Sequence, residues 1–136
     1  MSTSKAVQIL GEGVKIGEGF SFVQLAATAL LNVDSVAAAG STITDGGQLT
    51  TGVSLVTGAN NTKAVLLPAI TSPGEICFVV NTGESNTLEI FPDAAGTSIN
   101  AASAGAAFTT PAMSIFIAIA ASATQWYAGE IVVAAV

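Results

Sequence analysis

Four carboxylates, Glu75, Glu84, Glu89 and Asp93, fall within one short stretch of the chain. A pair of carboxyl groups flanking a bound substrate can run acid–base or glycosidase chemistry. Here Glu84 falls in a predicted turn and Glu89 on the outward side of a predicted strand. Charges so placed keep a Ser/Thr-rich surface soluble, and that reading outweighs a small hydrolase using Glu75, Glu89 or Asp93. Cys77 stands between Ile76 and Phe78 with no base or cation beside it in sequence, as expected of a buried, inert thiol. Trp126 and Tyr127 suit either a sugar-stacking platform or a core or subunit-interface anchor. With no arginine or histidine to fix a ligand, the anchor is the stronger reading. Gly11-Glu12-Gly13 lacks the third glycine of a dinucleotide fingerprint, and Asp45-Gly46-Gly47 lacks the carboxylate series of a calcium loop. Asn60-Asn61-Thr62 matches a glycosylation acceptor, but no secretory signal is expected to accompany it.

The whole chain is equally sparing of reactive groups. Its 136 residues include three lysines, nine acidic residues, no arginine and no histidine, for a net charge of -6. There is no imidazole base or ligand, so no Ser-His-Asp triad, and no guanidinium clamp for phosphate. One cysteine makes neither an intrachain disulfide nor a multi-cysteine zinc site. No cofactor or metal is expected, and the negative charge argues against nucleic acid, which is held by many basic side chains. The longest uncharged stretch, Ala94 to Gly129, is broken by Asn100, Thr109, Pro111 and Gln125. Its most apolar piece, Ala112 to Ala121, is far short of a membrane span, so no membrane partner is expected. Nor does a long apolar core follow Met1–Lys5, so no signal peptide is expected.

Length fits one domain, and small and β-branched residues with frequent turns predict an all-β one, an antiparallel β-sandwich or barrel-like fold. Residues 1–20, with Gly11, Gly13, Gly17 and Gly19, read as an extended N-terminal arm, and 21–136 as the β-domain. Within 21–40, Phe22, Leu25, Ala26, Ala29 and Leu30 are spaced for a short helix, while Phe20 and Phe22 also suit strands; both remain open. Thr42-Ile43-Thr44 reads as a short strand closed by Asp45-Gly46-Gly47. Leu49–Thr57 alternates loosely, with Gly52 as a candidate bulge. Lys63–Leu67 reads as a strand ended by Pro68. Glu75–Asn81 and Asn86–Phe91 read as a hairpin, with Ile76, Phe78 and Val80 on one face. Ser114–Ala120 and Thr124–Ala128 read as a second hairpin. Its first strand is apolar on both sides and so is expected to be central and covered on both faces.

Several of these segments together resemble a small β-domain of tailed-phage virion proteins. The resemblance rests on Val65-Leu66-Leu67-Pro68, Pro73-Gly74-Glu75, Val79-Val80-Asn81-Thr82-Gly83, Leu88-Glu89-Ile90-Phe91-Pro92, Gly96, Ile99-Asn100 and Thr124-Gln125-Trp126-Tyr127. It spans about residues 60 to 130, and its positions are those of turns and core. Such domains occur in capsid decoration (cement) proteins, head fibres and tail appendages, and the compact length is most similar to a decoration protein. The resemblance implies a non-enzymatic protein made in the host cytoplasm and bound to the outer surface of the capsid. It also implies a homotrimer whose partner is the major capsid protein. On that reading Lys5, Val7, Ile9, Val14 and Ile16 form a candidate capsid-docking arm that adds to a sheet edge. Ile115, Ile117, Ile119, Trp126 and Tyr127 are then candidate subunit-interface residues. The alternative is a small tail or head-fibre subunit that binds host-surface glycan, with Trp126 or Tyr127 in a shallow groove.

Overall fold

The computed structural model describes residues 8–10, 13–15, 33–50 and 52–132. The regular elements are all strands: β1 (Gln8–Leu10), β2 (Gly13–Lys15), β3 (Val33–Ala37), β4 (Gly47–Gln48), β5 (Gly52–Thr57), β6 (Ala64–Leu66), β7 (Ile76–Asn81), β8 (Leu88–Phe91), β9 (Ser98–Ile99), β10 (Phe108–Thr110), β11 (Ser114–Ser122) and β12 (Gln125–Val132). Among the described residues no helix is long and apolar enough to cross a membrane. The long strands β7 and β11 are runs of β-branched and aromatic residues, which suit a pleated surface.

Two sheets share one core. The larger has six strands in the order β3-β5-β7-β11-β12-β9, and the smaller has four in the order β10-β8-β6-β4. From β3 to β11 every successive strand passes to the other sheet. As far as β8, strands two apart in sequence are neighbours and pair in parallel: β3 with β5 and β5 with β7, β4 with β6 and β6 with β8. The backbone winds as a coil. Val33 lies beside Val53, one circuit on, and Val53 beside Phe78 after the next. Within these two sheets antiparallel ladders enter late, when β10 joins β8 and the β11–β12 pair docks on β7.

The all-β expectation therefore holds, but the sheets are mixed rather than antiparallel. Parallel neighbours cannot be joined by a tight turn, so each connection must leave its sheet. That corrects the hairpin expected at Glu75–Phe91: β7 belongs to the larger sheet and β8 to the smaller, and Thr82–Thr87 crosses between them. Thr42-Ile43-Thr44 is a turn rather than a strand, with the N–H groups of Asp45 and Gly46 donating to the Thr42 carbonyl at 3.4 and 3.3 Å. Gly40 before it has φ of 46°, and a Cβ there would collide with the Asp45 carboxylate, so the turn requires glycine on both counts. Gly52 opens β5, whose register with β7 runs unbroken from it, so it is no bulge. The second hairpin forms, with strands longer than expected, Ser114–Ser122 and Gln125–Val132, and one register shift between Ala120 and Ser122.

The core lies between the sheets. Phe116, Ala118, Val79, Cys77, Val56 and Trp126 point inward from the larger sheet onto Val65, Leu88 and Ile90 of the smaller, and all are buried. The rings of Phe108 and Phe116 meet across the gap with centroids 5.1 Å apart and planes tilted by 56°. That is the tilted arrangement aromatic quadrupoles favour.

The N-terminal region is described only in part. β1 and β2 form an antiparallel pair with Ile9 opposite Val14. Of the candidate docking residues, Lys5, Val7 and Ile16 lie outside the described residues, as do the side chains of Ile9 and Val14. The helix-or-strand question over 20–32 lies outside them too, whereas Val33–Ala37 is strand.

Candidate functional site

The carboxylates that could do chemistry are used to build turns. Glu75 accepts hydrogen bonds from the Thr71 and Ser72 N–H groups at 3.2 and 3.1 Å and from the Thr71 hydroxyl, closing the Thr71–Glu75 turn. Asp45 accepts from the Ser41 and Thr42 N–H groups at 3.0 and 2.7 Å and from the Thr42 hydroxyl at 2.7 Å. These donors hold both carboxyl groups below their ordinary values, the hydroxyl bond contributing most at each. A lowered folded-state value stabilises the fold above the unfolded-state value, and the contribution disappears as pH falls through the folded one. The melting temperature is therefore expected to drop below about pH 4. The double variant Asp45→Asn, Glu75→Gln should flatten that drop in a melting series from neutral to acid pH.

Glu84 is exposed in the connection between the sheets, and Glu89 lies on β8 opposite Thr109. Glu75 precedes a strand of one sheet and Glu89 sits in the other, so the coil removes the common hairpin on which they would have been neighbours. Among the described residues no three of His, Cys, Asp and Glu come together to hold a metal ion. Cys77 faces the core, where burial pushes its thiol up to about 12, and its Sγ lies 3.6 Å from the Thr50 carbonyl. A neutral thiol in that setting is no nucleophile.

Trp126 and Tyr127 diverge to opposite faces of β12. Trp126 is fully buried, while Tyr127 is 62% exposed. Trp126 is thus core, which corrects its assignment to a subunit interface and breaks up the two-ring sugar platform. Strand alternation forces the result, because adjacent residues cannot share a face.

Ile115, Ile117, Ile119 and Tyr127 do come together, on the outer face of the larger sheet. Pairing aligns them with residues sequence reading had not grouped with them. Leu55, Val80, Ile115 and Ile131 form one row across β5, β7, β11 and β12. Val33, Val53, Phe78, Ile117 and Gly129 form the next, and Ile76, Ile119 and Tyr127 a third. Ile119 is 46% and Ile131 56% exposed, so β11 is central but covered on its inner face alone by the described residues. The sequence signal was the run Ile76–Val80, apolar at odd and even positions alike.

The face ends in a cavity of about 300 Å³ lined by Val80, Asn81, Thr82, Met113, Ser114 and Ile115. Met113, at φ of 51° and 48% exposed, forms part of its wall. Below it Asn81 ties three segments: its Nδ2 donates to the Asn86 and Pro111 carbonyls, both at 2.9 Å, and its Oδ1 accepts from the Gly83 N–H at 3.0 Å.

What this arrangement offers is a broad, uncharged, contoured surface. Compared with protein-family models and with curated proteins, the chain matches none.

Proposed function

We propose that the chain is a non-enzymatic structural subunit of a tailed-phage virion, a β-sandwich that decorates the capsid exterior and stabilises the shell. The observation that carries the reading is the outer face of the larger sheet, where exposed Val33, Leu55, Ile119, Tyr127 and Ile131 stand among half-buried apolar neighbours with no charge among them. Monomeric proteins rarely leave so broad an apolar area open, and such areas mark sites of association. A shell clamp acts by area and complementarity, because separating the shell subunits must also break the clamp's contacts.

The residues that carry the resemblance to phage β-domains act here as framework, which supports reading them as a fold signature. Pro68 and Pro92 are buried just beyond β6 and β8. Asn100, at φ of 55°, donates its Nδ2 to the Ala128 carbonyl at 3.0 Å and accepts the Ala128 N–H at 2.8 Å. Gln125 donates to the Asn100 carbonyl at 2.7 Å.

Purified protein added to capsids that lack it is expected to bind them and raise their disruption temperature, and deletion of residues 1–19 is expected to abolish that binding. Capsids that neither bind the protein nor gain stability would overturn the proposal. Binding that survives the deletion would remove the arm from it.

A further inference from the structure

We infer that the outer face of the larger sheet is the surface on which a second copy of this chain docks, a step that rests on the assembling-subunit reading above. Strands apolar on both sides are those that proteins cover on both faces. β7 and β11 have that pattern, yet the smaller sheet covers one side alone.

Charge and area select the occupant. The three rows contain no ionisable group except the Tyr127 phenol. A charged or strongly polar partner would lose hydration there without gaining a counter-group. An identical face loses nothing of the kind, and two twisted sheets interdigitate at about 10 Å separation. The twelve positions of the three rows, about 4.8 Å apart between strands and about 6.8 Å apart along them, give a footprint of roughly 400 Å². Two such faces together, with their side-chain relief, come to about the 1,000 Å² a specific interface needs.

Shape points the same way. The middle row ends at Gly129, where a Cβ would meet no atom within 4 Å. The result is a notch on β12 flanked along the strand by Tyr127 and Ile131. The protruding Ile119 and Ile131 side chains of an identical face are the right size to enter it, so one surface carries both projection and recess.

The test is sedimentation velocity of the full chain over a wide concentration range, with Gly129→Lys and Ile131→Lys beside the wild type. Gly129→Lys fills open space, and strands prefer a side chain to glycine, so its melting curve should match the wild type at concentrations where both are monomeric. The wild type should sediment as an oligomer, and each variant should weaken association on the order of a hundredfold, as loss of a central contact does. A wild type that is monomeric throughout overturns the inference, and so do variants that associate like the wild type. A monomer whose Tyr127 is shielded from hydroxyl-radical labelling also overturns it, placing the chain's own residues on the face. A monomer that still binds capsids would defeat this inference and leave the structural role standing. An oligomer that ignores capsids would do the reverse.

Discussion

Trp126→Ala is expected to lower stability by about 3–5 kcal/mol, the loss seen when a large buried aromatic is truncated. Trp126 is fully buried in the core cluster, on the side of β12 away from the outer face. Its removal leaves a cavity that the flanking strands cannot close without breaking their ladders with β11 and β9. Small domains have about 5–15 kcal/mol of stability in all, so much of it would go. Tyr127→Ala, one position along, is expected to change monomer stability by no more than about 1 kcal/mol, because the ring is largely in solvent. Urea titrations of the two variants, at concentrations where each is monomeric, separate core from surface directly. Equal losses in the two would refute the placement of these rings on opposite faces.

The next largest effect is expected at Asn81. Asn81→Ala removes three hydrogen bonds and leaves the Asn86 carbonyl and the Gly83 N–H in search of partners, while the Pro111 carbonyl keeps the Ser114 hydroxyl at 2.7 Å. Each bond contributes about 1 kcal/mol net, so a loss of about 3 kcal/mol is expected. Asn81→Asp should be more harmful at neutral pH. A buried carboxylate would face two carbonyl oxygens with nothing to donate. Lowering the pH should partly rescue that variant, because the protonated acid regains one donor. The lone tryptophan is a convenient reporter of unfolding in both. A melting curve for Asn81→Ala that overlays the wild type would show that the clamp holds nothing.

Much of the β-architecture was legible in the sequence because strand periodicity is local. Ile115, Ile117 and Ile119 had to share a face, and Pro68 had to follow a strand. What stayed hidden was which strand lies beside which. Ile76–Asn81 and Leu88–Phe91 have the spacing of a hairpin, and nothing in their side chains says that the intervening residues cross to another sheet. Parallel partners such as Val53 and Phe78 are far apart in sequence, and their pairing depends on a whole circuit closing. The same gap concealed the outer face. β11 and part of β12 were in view, but β5 and β7 join them through register alone. Trp126 was misplaced for a simpler reason: a buried anchor and an interface anchor have the same side chain, and the pleat decides between them.

The winding also sets an order of events. A hairpin can zip from its turn as soon as both strands exist, but here no ladder bond between β3 and β5 can form until a full circuit has closed. Chains dominated by such distant pairings fold slowly. The pair that completes the larger sheet, β11–β12, comes last in the described chain and fills the gap between β7 and β9. Until it arrives, β7 is an open, apolar edge, the kind of template onto which another chain can add a strand. During synthesis the chain thus passes through a stage when its central strand is an edge, and the speed with which β11–β12 docks decides whether neighbouring chains reach that edge first.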